Sequence, residues 1–415
     1  MIPNHDLQRT ARIDLPRLLR RIAALGQVGA IDGGGVCRLA LTDEDRAGRD
    51  LVVSWMRELG LSVSIDGIGN VVGVRAGQED LPPVMTGSHI DTVRTGGRYD
   101  GNLGVLAGLE VMAALDDAGI VTRRPLAVAF FTNEEGARFA PDMMGSLVYQ
   151  GDLPLQQALE TRGIDGTTVG DNLARIGYAG PAPVGCNSVH AFVELHVEQG
   201  PVLEHEDVTI GAVTGVQGIH WTEFTVEGTS NHAGTTPMRL RHDAGLVAAR
   251  VACFVRDLSR ELGGAQLATV GQVQFFPNLV NVIPNRAVFT VDLRNTDGAV
   301  LTDAVARTLA YACDVAKAEG VRLSQRTLAD FAPVAFDDGM VARVEAIARQ
   351  RGHSVRRMPS GAGHDAQILA RMCPAGMIFV PSVAGLSHNV AELTHDHDIG
   401  AGAGVLLDLM LELAA

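Results

Sequence analysis

The segment GSHIDTVRTGGRYDG, residues 87–101, sets His89 and Asp100 eleven residues apart, with Asp91 between them and glycines on both sides. An apolar run at 83–85 leads in, and a helical pattern from Leu103 leads out. Imidazole and carboxylate at a strand end, on a backbone loose enough to fold round something small, point to a metal site in an α/β sheet. One histidine and one aspartate do not complete such a site. The remaining ligands must come from other strand ends.

The chain offers them. Glu134 and Glu135 follow the apolar run LAVAFFTN, His196 follows AFVEL, and His388 comes a few residues after MIFVPS. Open α/β sheets bind ligands at the carboxyl ends of their strands, so four strand ends converging on one edge is the geometry a site needs. Adjacent carboxylates repel each other, and a divalent cation supplies the positive charge that lets both face one site. HDHD at 395–398 reads instead as a polar run ahead of the last helix. HExxH, a Walker loop and GxSxG are absent, and the glycines of GGRYDG are wrongly spaced for a dinucleotide fingerprint.

The rest of the sequence bounds the answer. Its 415 residues suffice for two domains. A net charge of −14 argues against nucleic acid, which needs clustered Lys and Arg. Aromatics make up only 4%, so the cores rest on Ala, Val, Leu and Ile. Cys37, Cys186, Cys253, Cys313 and Cys373 are scattered with no CxxC pair, which reads as reduced thiols in a cytoplasmic protein. The first 26 residues carry charge throughout and do not read as a secretory signal; an amphipathic helix is expected from about 14 to 25. No apolar run approaches the roughly 18 residues a membrane span needs.

Apolar runs at 61–65, 71–74, 83–85, 126–131 and 192–195 alternate with helical patterns near 44–59, 103–117 and 153–162. The expected fold is α/β with a mostly parallel sheet. Near residue 212 the rhythm changes. An alternating strand, a loop, a helix at 244–262, strands at 268–275 and 287–293, a helix at 300–318 and a strand near 321–328 give the β-α-β-β-α-β order of a ferredoxin-like α+β layer. The α/β rhythm then returns, with helices at 338–351, near 365–371 and at 400–413 and a strand at 376–380. The domains are therefore expected at 1–212 and 330–415 for the larger one, with 213–329 inserted.

With these motifs in hand, the chain resembles the metal-dependent amidohydrolases of the M20 superfamily, in particular the hydantoinase/carbamoylase group. The resemblance rests on GSHIDTVRTGGRYDG, TNEEGARF (132–139), ELHVEQGP (194–201), SNHAGTTPM (230–238), FPNLVNVIP (276–284), VDLR (291–294), PSGAGHDA (359–366) and FVPSVAGLSHNVAE (379–392). It implies a di-metal catalytic domain holding two divalent ions, Zn or Mn/Co. His89, Asp100 and His196 would hold one ion, and Asp100 would bridge to a second held by Glu135 and His388. Asp91 would orient His89, and Glu134 would be the general base. The inserted domain would act as lid and dimerisation domain. His232, Asn281 and Arg294 match substrate-contacting positions, with Gln217, Gly361 and Gly363 as weaker candidates; His232 would also serve catalysis. The implied substrate is a small carboxylate-bearing molecule, an N-carbamoyl-L-amino acid first, allantoate or β-ureidopropionate next. A non-catalytic binding homologue is the remote alternative. Val390 stands where the group usually has proline after SHN.

Overall fold

The computed structural model describes residues 11–185 and 188–415; Cys186 and the first ten residues of the N-terminal reading lie outside them. The chain divides into two compact units: residues up to Gly215 together with Ala335–Ala415, and Val216–Val334.

The first unit is built on one sheet. Its strands are β1 (Ser62–Ile65), β2 (Val71–Arg75), β3 (Val84–His89), β4 (Leu126–Phe131), β5 (Ala191–Val197) and β6 (Ile210–Val216). The returning chain adds β12 (Val334–Ala335), β13 (Val355–Ser360) and β14 (Ala375–Val380). The order is β1-β2-β4-β3-β5-β14-β6-β12, with β13 also on β6. The four central strands, β4, β3, β5 and β14, are mutually parallel, while β2 against β4 and β6 against β14 are antiparallel. Parallel strands covered on both faces bury every side chain, and β3, β4, β5 and β14 do so.

β3 runs four residues beyond the 83–85 expected from apolar pattern alone. Thr86, Ser88 and His89 are polar, so hydrophobicity stops at Met85. The ladder does not stop, because β4 on one side and β5 on the other supply main-chain partners. The buried Ser88 hydroxyl is satisfied by donating to Glu194 Oε1 at 2.6 Å. The register sets His89 beside Phe131 and His196 beside Phe379. Parallel direction therefore brings the segments after β3, β4, β5 and β14 to one edge of the sheet.

Helix Asn102–Asp117 is buried on nearly every side, as its apolar sequence demands. Its one buried acid, Glu110, accepts from Arg17 Nε at 2.7 Å and from Asp14 N at 2.9 Å, which pins helix Leu15–Leu25 to it. Short helices at Met144–Gln150 and Val169–Ile176 were not legible as periodic stretches; each spans too few turns to show a pattern. No described helix is long and apolar enough to cross a membrane.

The second unit holds β7 (Gly218–Glu227), β8 (Leu267–Thr269), β9 (Val273–Phe276), β10 (Arg286–Asn295) and β11 (Arg322–Phe331), ordered β11-β7-β10-β8, with β9 also on β10. The single strand expected at 268–275 is thus two short ones on the same neighbour. Helices Ala244–Leu262 and Gly298–Glu319 cover one face, each started by an aspartate, Asp243 or Asp297, whose side chain accepts the first free amides. Alternate residues of β10, namely Ala287, Phe289, Val291 and Leu293, point into that core, with Phe224 stacked on Phe289. Asp292 and Arg294 alternate with these and belong to the opposite face.

Candidate metal centre

The sheet edge gathers the predicted ligands. His89 ends β3, and its Nδ1 lies 2.9 Å from the main-chain oxygen of Asp91. His196 lies near the end of β5, with Nδ1 2.9 Å from the oxygen of Val197. A carbonyl only accepts, so Nδ1 carries the proton in both rings, and Nε2 is the nitrogen turned to the site. Both Nε2 atoms face Asp100 Oδ1, at 3.6 Å from His89 and 3.2 Å from His196. The other oxygen, Oδ2, lies 3.3 Å from His388 Nε2, which in turn stands 3.2 Å from Glu135 Oε2. One carboxylate thus presents each oxygen to a different ligand cluster. His89, Asp100 and His196 can hold an ion, and so can Asp100, Glu135 and His388.

Asp100 owes its place to Gly101. The Asp100 carbonyl accepts from Asn102 N at 2.7 Å, closing a γ-turn on Gly101, whose φ is 66° and ψ −49°. A side chain there would strain the backbone and run into the His89 ring. Gln199 Nε2 at 2.9 Å and Ser387 Oγ at 3.0 Å donate to Asp100 Oδ2.

Glu134 Oε2 sits 3.4 Å from His89 Nε2. Burial pushes the Glu134 carboxyl well above the ordinary carboxylate range, and the charges of Asp365, Glu135 and Asp100 add to that push against the pull of His89. Burial also opposes charge on Asp100, yet His196, His388 and His89 hold its carboxyl well below the usual range. Asp91 departs from its expected role in one respect. It steadies His89 through its main-chain oxygen, while its carboxylate faces the amides of Glu134 and Glu135 at 3.3 and 3.4 Å. It therefore fixes the turn that carries both glutamates.

A cavity of about 120 Å³ opens over these groups, walled by Asp100, Glu134, Glu135, Asp142, Met143, His196, Gln199, Ala362, Gly363, His364 and His388. Four of these residues carry carboxylates and none is a lysine or arginine. Such a wall suits a cation, and the imidazole and carboxylate donors fit a divalent metal of the zinc, manganese or cobalt kind.

Of the substrate candidates, Gly363 lies on this wall and Gly361 is not among the lining residues. Gln217, His232, Asn281 and Arg294 belong to the second unit. There His232 and Asn281 are neighbours: His232 bridges Val282, and the Asn281 carbonyl accepts from Ala233 N at 2.9 Å. His232 Nδ1 accepts from Gly234 N at 3.0 Å, which puts the ring proton on Nε2. Arg294 binds both carboxylate oxygens of Asp292 through Nε and lies over Trp221. Gln217 is buried, with no hydrogen-bond partner for its Oε1.

Several site residues escaped the sequence reading. Gln199, Ser387 and Glu392 surround Asp100, while Glu194, His364 and Asp365 lie close to His196 and the site. Glu194 Oε2 accepts from Ala366 N at 2.9 Å, and the His364 ring packs edge-on against His196. All six fall inside segments that carried the resemblance. Their polar side chains, three residues from a ligand or nearer in the case of Glu194, Gln199 and Ser387, were the available signal.

A parallel sheet edge that assembles imidazoles and carboxylates around a cation-suited cavity fits a metal-dependent hydrolase. The chain belongs to Peptidase family M20/M25/M40, whose family model matches residues 85–412, and within it to the hydantoinase/carbamoylase branch. It is 43% identical, over 97% of each chain, to an N-carbamoyl-L-amino-acid amidohydrolase of Rhizobium meliloti. It is 34% identical to a ureidoglycolate hydrolase of Arabidopsis thaliana, over 97% of this chain and 87% of that one. The crystal structure of a hydantoinase/carbamoylase family amidase from Burkholderia multivorans superposes with a TM-score of 0.96 at 47% identity, covering 97% of this chain and 98% of that one.

Proposed function

We propose that this chain is a two-metal amidohydrolase that cleaves the ureido C–N bond of an N-carbamoyl-L-amino acid, releasing the amino acid with carbon dioxide and ammonia. The observation that carries this reading is Asp100, with one oxygen toward His89 and His196 and the other toward His388. His89, Asp100 and His196 would hold one ion; Asp100, Glu135 and His388 would hold the second. Zinc, manganese or cobalt bound there supplies Lewis acidity and lowers the pKa of a water from about 15.7 toward ~7, as zinc does in carbonic anhydrase.

Glu134 is the general base. Its carboxylate takes the proton as water attacks the carbamoyl carbon, then delivers it to the leaving nitrogen. His232, with its proton on Nε2, and the Asn281 amide are the assigned donors to the developing oxyanion. Arg294 takes the substrate carboxylate, for which a planar guanidinium is suited.

We further assign a homodimer formed through the second unit. That unit leaves Met238, Leu240, Leu267, Val273, Leu279 and Val280 exposed, apolar side chains that a second copy would cover. A cytoplasmic setting agrees with Cys37, Cys253, Cys313 and Cys373 standing as free thiols.

The test is an ammonia-release screen of the metal-supplied protein on N-carbamoyl-L-amino acids, ureidoglycolate, allantoate, β-ureidopropionate and N-acyl amino acids, the last read by amine release. Turnover led by the N-carbamoyl-L-amino acids supports the reading. Preference for ureidoglycolate or allantoate replaces the substrate and keeps the chemistry. No turnover on any of them refutes the reading.

A further inference from the structure

Glu392 has no assigned part in the reaction, yet it is the side chain that ties the two ligand loops together. It is 6% exposed. Its Oε1 accepts from Tyr99 N at 2.9 Å and from Asp100 N at 3.1 Å. Its Oε2 lies 3.1 Å from Ser387 Oγ, and the same hydroxyl lies 3.0 Å from Asp100 Oδ2. The turn after His388 delivers Glu392 to this place. Asn389 accepts from Ala391 N through its side chain at 2.9 Å and from Glu392 N through its carbonyl at 3.0 Å. On the other side the chain makes room for it: a Cβ on Gly97 would overlap the Glu392 carboxylate.

These contacts form a closed path. Main chain at 99–100 donates to Glu392 Oε1, and the single proton of the Ser387 hydroxyl is shared between Glu392 Oε2 and the Asp100 side chain. Asp100 and His388 lie on segments almost three hundred residues apart in the chain, and Glu392 bonds to both segments. A carboxylate buried next to another carboxylate is costly, and the hydrogen bonds from Tyr99, Asp100 and Ser387 offset part of that cost.

We propose that Glu392 is a positioning residue of the metal centre. It fixes the Asp100 main chain with one oxygen and the Ser387 hydroxyl with the other, and so sets where Asp100 Oδ2 stands relative to His388. This rests on the reading above that Asp100 and His388 share an ion. The work is done by hydrogen-bond geometry, not by charge. A glutamine keeps an oxygen for the two amides, and its NH₂ donates to Ser387 Oγ, whose own proton then goes to Asp100 Oδ2. An alanine breaks the path at both ends.

The test is zinc titration of metal-free protein by calorimetry, with bound metal counted by elemental analysis, on wild type, Glu392→Ala, Glu392→Gln and Gly97→Ala. Groups that orient metal ligands typically contribute ~10–100-fold in affinity. Wild type is expected to take two ions. Glu392→Ala and Gly97→Ala are expected to lose about that factor for one ion while the other stays near wild type; Gly97→Ala does so with Glu392 intact. Glu392→Gln is expected to bind both ions nearly as wild type. Thermal unfolding of each metal-free variant separates loss of the site from loss of the fold, and Gly97→Ala carries the test if Glu392→Ala does not fold. Wild-type binding of both ions by Glu392→Ala and Gly97→Ala overturns the proposal, and so does Glu392→Gln as damaged as Glu392→Ala, which would make charge the cause. A wild type that takes a single ion refutes the shared-ion reading itself.

Discussion

Replacing Gly101 by alanine puts the geometry of the metal centre to a sharp test. Two separate costs follow from the structure. The first is backbone strain: a φ of 66° at the centre of a γ-turn is free for glycine and costs a side-chain-bearing residue about 1–3 kcal/mol. Against a typical stability of about 5–15 kcal/mol, that leaves the protein folded. The second cost is steric and local. The new Cβ would stand 2.5 Å from His89 Cδ2 and closer still to Cε1 and Nε2, whereas ordinary contact begins at 3.4 Å. Either His89 or the turn carrying Asp100 must give way by about an ångström, and both belong to the proposed ligand set. A displacement of that size in a reacting constellation costs ~10²-fold in rate. The assay is twofold: zinc affinity by calorimetry, and ammonia release at saturating metal. The expected result is weakened binding and a rate lower by about two orders of magnitude, with metal-free protein still unfolding cooperatively. Wild-type affinity together with wild-type turnover would refute the argument that this glycine sets the distance between His89 and Asp100.

Four further outcomes are expected. Metal uptake should release protons and tighten with pH. Hydrogen bonds donated to Asp100 and Glu135 hold the metal-free His388 up at about 10, while burial pushes Asp365 up to about 8 and Glu392 to about 7. The folded chain therefore keeps protons that the unfolded chain has lost, so metal-free stability should fall from pH 7 to pH 9, read by urea unfolding at each pH. Arg38→Met should destabilise the metal-free protein by at least about 2 kcal/mol in the same assay. It leaves Ile90 O, Leu25 O, Val28 O and Asn102 Oδ1 without the fully buried guanidinium that serves all four. Sedimentation of the active protein should show a dimer, and charged replacements at Leu279 and Val280 should yield monomers; a wild type that is fully active as a monomer would contradict the assigned interface.

Much of this centre is legible in the sequence because strand direction does the assembling. Once β3, β4, β5 and β14 are parallel, the residues after their apolar runs must share an edge, and His89, Glu134, Glu135, His196 and His388 all follow such runs. What pattern could not give was the extent of β3, whose last residues are polar and held by neighbours that lie far off in sequence. Nor could it give the partner of Asp91, whose carboxylate faces amides 43 and 44 residues away. Gln199, Ser387 and Glu392 stayed hidden for the same reason: their importance lies in hydrogen bonds to Asp100, and periodicity carries no record of those. Gln217 drew notice only through the resemblance, while Gln199, on the cavity wall, did not. The β-α-β-β-α-β order was readable because the long strands β7 and β10 alternate, one face on the two helices and one turned away.

The account stands most directly on Glu134 as a base that touches the reaction but holds no metal. Glu134→Gln, loaded with zinc and assayed for both bound metal and hydrolysis of an N-carbamoyl-L-amino acid, is predicted to carry the wild-type metal content and to show no measurable turnover. Wild-type turnover in that variant, or loss of its metal, would contradict the account.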